Sequence, residues 1–308
     1  MGMKASRRKI GGLNLVFRII LVWLAATWLI SSQAQDLAEI REQGVLRHLG
    51  VPYARFVSGH GEGLDVEIIQ RFADHIGVRY EYVPADWTNV IQDLIGQELE
   101  YKPVMRAVGK RPIRGDVIAN GLTILPTRER VIDYSVPTFP SAVWLLARSD
   151  SAVRPIVPSG SLPGDIKATQ SKLSEGSTFV LDNSCLDPKT LGIDGKGYRL
   201  KRFGASTSLN DIVPALLKNE SEMTLLDVPD IIDAMEKWQG QIKVIGPISE
   251  EQRMAAAFRK SSPELRQAFN EFFSQLQSDG TYMSLVHKYF RSAPRYLPDY
   301  FKGLVGNR

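Results

Sequence analysis

The sequence predicts an α/β protein whose chain beyond residue 34 folds into two α/β lobes. Three observations point there. From Gln35 onward short apolar runs alternate with stretches of helical period, the pattern of strands interleaved with covering helices. The alternation comes in two groups, one before about residue 140 and one in the middle third. The chain then closes on helices alone. With 44% hydrophobic and 23% charged residues in 308, there is material for sizeable cores.

The elements follow in order. Leu46 to Val51 reads as a strand. In Val66 to Ile76, Ile68, Ile69, Phe72, Ala73 and Ile76 share one helical face, with Asp65 as N-cap and Gly77 as stop. Val78 to Val83 alternates as a half-buried strand. Thr88 is placed to cap a helix with Val90, Ile91, Leu94 and Ile95 inward. Asp116 to Ala119 is a short buried strand, and Ser151 to Gly164 a surface loop. In the second group Phe179 to Leu181, Met223 to Leu226 and Lys243 to Ile245 are strands. Ser208 caps one intervening helix and Pro229 opens another. The sheets are expected to be parallel. Ser262-Pro263-Glu264 starts a helix carrying Leu265, Ala268, Phe269, Phe272, Phe273 and Leu276 on one face, and Thr281 starts another to about Phe290. The tail after Ser292 reads as irregular.

The formal charge of +4 belongs to the N-terminus. Five of the 38 basic residues and no acid lie in the first 34, so the remainder carries 33 bases against 34 acids. A nucleic-acid surface is therefore not expected. Lys4 to Lys9 is a basic stretch, Ile19 to Ile30 an apolar one, and Ser32-Gln33-Ala34 a small-residue cleavage site, so residues 1–34 read as a signal peptide. Twelve helical residues rise about 18 Å, short of a hydrocarbon core of roughly 30 Å. Export to the periplasm is the expectation. Cys185 is the single cysteine, so no intrachain disulfide forms. His48, His60, His75 and His287 lack metal-ligand spacing, and no nucleophile elbow, Walker loop or dinucleotide fingerprint occurs. No metal, cofactor or catalytic residue is expected.

The stretch Asp116 to Phe139 carries the chemistry. Its strand ends in Asn120-Gly121, and in open α/β sheets ligands bind beyond the carboxyl ends of strands. Gly121 permits close backbone approach, Thr123 offers a hydroxyl, and Arg128 offers a fork for two parallel hydrogen bonds to a carboxylate. Spacing alone favours reading Arg128 as a surface arginine beside Glu129 and Arg130.

Gly121, Thr123 and Arg128 stand as Gly-x-Thr-x-x-x-x-Arg, followed by Ile132-Asp133-Tyr134-Ser135-Val136-Pro137. This resembles the signature of the family 3 extracellular solute-binding proteins, the polar amino-acid receptors of ABC importers. Gly63-Leu64-Asp65-Val66, Val83 to Trp87, Ala257 to Lys260 and Asp279-Gly280-Thr281 fit the same pattern. The resemblance implies a type II periplasmic-binding fold with ligand between the lobes, lobe 1 being residues 35–140 and 260–308 and lobe 2 residues 141–259. It implies that Arg128, Thr123 and the Gly121 backbone hold a ligand carboxylate, while Asp227 from the second lobe takes its ammonium group. Helix capping is the alternative reading of Asp227. Tyr53, Phe56 or Trp87 would supply an apolar wall, although such residues are more often core. It further implies a monomer that binds a small carboxylate or amino acid and delivers it to a membrane permease, with no enzymatic activity. The alternatives within the same fold are a dehydratase-like periplasmic enzyme and an accessory or sensing protein. Two places depart from the pattern. Residues 180–188 lack the usual glycine-containing loop, leaving Asn183 and Ser184 as candidate donors, and Pro52 to Phe56 replaces an early Pro-Pro-Phe-like element. There Arg55, with Asn183, would suit a second acidic group.

Overall fold

A computed structural model describes residues 36–58, 61–101, 105–204 and 209–305. The expected signal peptide, the Ser208 cap and His60 lie outside the described residues. No helix among the described residues is long and apolar enough to cross a membrane.

Two five-stranded sheets define two lobes. The first is ordered β2-β1-β5-β14-β6, from β1 (Val45–Gly50), β2 (Arg79–Pro84), β5 (Val117–Ile118), β6 (Ile132–Tyr134) and β14 (Ala257–Arg259). Successive residues of its strands point to opposite faces. Leu46 and Val117 enter one apolar cluster, with Phe72 of α2 (Leu64–His75), Phe269 of α7 (Pro263–Ser278) and Val286 of α8 (Thr281–Tyr289). Leu49 and Ile118 enter another, with Val90 and Leu94 of α3 (Val90–Ile95). Helix α1 (Leu37–Gln43) opens the described chain on a capping box, Asp36 to Glu39.

The second sheet is ordered β10-β9-β11-β8-β12, from β8 (Val143–Arg148), β9 (Ser177–Val180), β10 (Arg199–Arg202), β11 (Met223–Asp227) and β12 (Ile242–Pro247). Residues alternate again: Val143, Leu145 and Leu225 pack on one side, Leu146 and Leu226 on the other. Helices α4 (Leu162–Lys172), α5 (Ile212–Leu217) and α6 (Val228–Lys237) belong to this half of the chain. Between the halves β7 (Phe139–Ser141) pairs antiparallel with β13 (Gln252–Met254), so the outgoing and returning segments run side by side. A separate hairpin, β3 (Gln97–Glu100) with β4 (Arg106–Lys110), precedes β5.

Several expectations change. Both sheets are mixed, since β14 is antiparallel to β5 and β6, and β8 to β11 and β12. These are the strands next to the crossings, where the chain enters each sheet from the other lobe rather than through a covering helix. The return comes earlier than the sequence suggests, because β14 at 257–259 already lies in the first sheet. Asp65 does not cap α2. Gly63 holds that position and Asp65 is buried in the first turn. At α3 the carboxylate of Asp86, not Thr88, accepts the N–H groups of Thr88 and Asn89. The loop from Ser151 gives way to α4 at Leu162, and the tail forms two short helices, α9 (Ala293–Tyr296) and α10 (Pro298–Val305).

Candidate functional site

A cleft of about 190 Å3 is lined by Tyr53, Trp87, Gly121, Thr123, Arg128, Asn183, Ser184 and Asp227, all nominated from the sequence; Phe56 and Arg55, also nominated, are not among the lining. At roughly 30 Å3 per water that volume holds about six waters, room for a small organic ion. Thr88, Ile91, Tyr101, Leu181, Cys185 and Asp230 complete most of the lining.

The first-lobe side begins where β5 ends. Gly121 has φ +66, a left-handed conformation, and an added Cβ would stand 2.5 Å from the Phe56 ring. Its main-chain N–H does not face a ligand as the resemblance implied. It donates to Asp65 Oδ2 at 2.7 Å. Burial pushes the Asp65 carboxyl up to about 7, against the lowering effect of that Gly121 hydrogen bond. Asp65 therefore shapes the turn that presents Thr123.

Arg128 lies in the short segment between β5 and β6 and is only 7% exposed. Its Nη1 donates to the Thr123 carbonyl at 3.0 Å and its Nη2 to the Asn183 carbonyl at 3.4 Å. The phenol of Tyr134 donates to the same Thr123 carbonyl. Among the described residues no carboxylate pairs with this guanidinium. A buried cation with no charged partner among the described residues is left short of a counter-charge. The surface-arginine reading of Arg128 is thereby overturned.

Asp227, at the end of β11, serves two purposes through its two oxygens. Oδ1 accepts the Asp230 N–H and caps α6. Oδ2 accepts from the Tyr53 hydroxyl of the first lobe, and the Cys185 thiol lies 3.9 Å away. The capping reading of Asp227 is thus borne out through Oδ1. Burial raises the Asp227 carboxyl above the usual carboxylate range, against the Tyr53, Asp230 and Cys185 hydrogen bonds. Asp230, one turn on, is raised well above it by burial and then by Asp227 and Asp233. Burial, then Asp227, pushes the Cys185 thiol up to about 12, so it is not ionised at neutral pH.

The loop after β9 spends its side chains internally. Asn183 takes a left-handed φ of +59, which asparagine tolerates, and its N–H donates to Asp187 Oδ2 at 2.7 Å. Ser184 Oγ donates to the Leu181 carbonyl and accepts the Leu186 N–H. The Ser184 hydroxyl and the Asn183 main-chain N–H are thus committed to the loop. The main-chain N–H groups of Ser184 and Cys185 make no bond among the described residues.

Tyr53 is stacked on Phe56 and meets Trp87 edge-on, ring centres 5.9 and 5.6 Å apart. Phe56 itself is fully buried behind Gly121 and does not line the cleft. Arg55 is not a cleft residue either. It reaches Asp233 and Glu236 of α6 and the Tyr289 carbonyl, a tie from the first lobe to the second. Sequence reasoning passed over Tyr101, Cys185 and Asp230. The run Asp227-Val228-Pro229-Asp230 held the signal for Asp230, two acids one helical turn apart. No group of three His, Cys, Asp or Glu is set to hold a metal ion among the described residues.

The model of the bacterial extracellular solute-binding proteins, family 3, matches residues 104–292, and the chain belongs to that family. It is 23% identical over 289 residues to the L-cystine-binding protein TcyJ of Escherichia coli (strain K12), covering 91% of this chain and 96% of that one. A membrane-bound lytic murein transglycosylase F of Desulfosudis oleivorans is 22% identical over 289 residues, which cover 90% of this chain and 57% of that protein. Among solved structures a mutant of ArgBP from T. maritima superposes with a TM-score of 0.64 at 21% identity, over 83% of this chain and all of that one. That likeness concerns the type II periplasmic-binding fold.

Proposed function

We propose that the chain is a periplasmic carrier that captures one small amino-acid-like molecule and presents it to the permease of an ABC importer. Arg128 carries the reading. It is a nearly buried guanidinium in the cleft with no carboxylate among the described residues to neutralise it. A ligand carboxylate supplies the missing charge through two parallel bonds. The N–H groups of Ser184 and Cys185 and the Thr123 hydroxyl complete the carboxylate's shell. Across the cleft Asp227 Oδ2, now holding the Tyr53 hydroxyl, is the acceptor for the ligand's ammonium. Tyr53 and Trp87 wall the ligand's carbon skeleton, and the Trp87 indole N–H has no partner among the described residues.

A ligand bridging Arg128 and Asp227 touches both lobes only when they are together, and that differential contact favours closure. Burial holds the Cys185 thiol protonated, which argues against a thiolate nucleophile in the cleft. A screen of amino acids and carboxylic acids by thermal shift identifies the ligand, since binding to the folded state alone raises its stability. Calorimetry on Arg128→Ala is then expected to show a loss of about 1.5–3 kcal/mol, roughly 10- to 150-fold in affinity. Unchanged affinity in that variant would falsify the assignment.

A further inference from the structure

Acidic side chains outnumber basic ones in the cleft lining. On the cationic side Arg128 stands alone among the described lining residues. On the other stand Asp227 and Asp230, 3% and 8% exposed. Asp182 also lines the cleft, but Arg202 neutralises it at 3.0 Å. Asp227 already has partners: the Asp230 N–H, the Tyr53 hydroxyl and the Cys185 thiol. The Asp230 carboxyl has none. No side chain or main-chain group among the described residues donates to it, although it sits at the cleft wall.

A neutral-chain amino acid in the proposed pose pairs with Arg128 and Asp227 and leaves Asp230 buried and unmatched. An unpaired buried carboxylate is costly and needs a partner, and burial raises the Asp230 carboxyl well above the usual carboxylate range. A second positive group on the ligand meets that need. Residues three apart on a helix have Cβ atoms roughly 5–6 Å apart, so the two carboxyls are neighbours. A lysine- or ornithine-length side chain can fold back across such a distance.

We infer that the ligand is an amino acid carrying a second cationic group, and that Asp230 is the side chain that selects it. The inference rests on the amino-acid reading of the cleft given above. The bland account of Asp230, an acid in the first turn of α6 facing the helix dipole, does not require it to be buried at the cleft.

Calorimetry compares L-lysine and L-ornithine with norleucine and norvaline, which lack only the terminal ammonium. Wild-type protein is expected to prefer the cationic member of each pair by at least tenfold. Asp230→Asn is expected to bring both pairs within about threefold while neutral-ligand binding still depends on Arg128. The inference is overturned if norleucine binds wild type as well as lysine does, a comparison that needs no variant. It is equally overturned if folded Asp230→Asn keeps the full preference. If norleucine binds through Arg128 as tightly as lysine, this inference falls while the carrier reading of the cleft stands. If no amino acid binds at all, the reading of the cleft falls and takes this inference with it.

Discussion

Asp65 illustrates how far a residue's role can lie from its local context. In sequence it stands at the start of a helix, where an acid most often caps or faces the helix dipole. In the fold it is buried and holds the Gly121 N–H, 56 positions away. Its carboxyl, pushed up to about 7, is raised above its unfolded value near 3.9. The folded state therefore binds the proton more tightly than the unfolded one. That contribution is complete below about pH 4 and is lost as pH rises through about 7. Asp65→Asn keeps an acceptor for Gly121 and removes the ionisation. Its stability is expected to gain on wild type between pH 4.5 and 7.5, by roughly 1.36 kcal/mol per unit of displacement. Urea denaturation at the two pH values measures the difference, and parallel curves would refute the assignment.

Among elements, α7 is the clearest case in which sequence period and structure agree. Leu265, Phe269, Phe272, Phe273 and Leu276 are buried on the face that the i, i+3, i+4 spacing marks. Phe269 is fully buried, with its ring centre 5.3 Å from Phe72 of α2 and 5.6 Å from Phe258 of β14. It joins helix to helix and helix to sheet on the face opposite α3. Phe269→Ala is expected to cost about 3–5 kcal/mol in chemical denaturation. A loss under 1 kcal/mol would mean the seam repacks. By contrast, β8 was not read from the sequence, although Leu145, Leu146 and Ala147 are fully buried. An apolar run without a period of two gives strand and helix equally good fits. The tail, read as irregular, holds two short helices, and Pro294 and Pro298 both stand in a first turn, where proline is tolerated.

Among the described residues, polar ties already join the two lobes: Tyr53 to Asp227 and Arg128 to Asn183 in the cleft, and Arg55 to Asp233 and Glu236 outside it. The Arg55 pairs are partly exposed, and such pairs contribute only about 0–1 kcal/mol. A change of 1 kcal/mol shifts a two-state equilibrium about fivefold. Removing the ties should therefore open the ligand-free protein without preventing ligand-driven closure. Small-angle scattering on Tyr53→Phe combined with Arg55→Ala is expected to give a larger radius of gyration than wild type without ligand. Identical radii without ligand would show that these ties do not hold the lobes. Raising the salt concentration should act in the same direction on the Arg55 pairs.

By itself the sequence determined what is written in short-range periods and spacings: the alternation of strands and helices, the helical seams, and Gly121, Thr123 and Arg128 near a strand end. Those depend on neighbours within a turn or a pleat, so local chemistry is enough. Only the tertiary structure decided what each polar atom does. Tyr53 meets Asp227 across 174 positions, Asp65 rather than a ligand takes the Gly121 N–H, and Asn183 and Ser184 tie their own loop. Asp230 became a candidate for selectivity only once burial had removed water from it and no donor had replaced the water. Burial and long-range partnership set the energy of a polar group, and neither is encoded in the residues beside it.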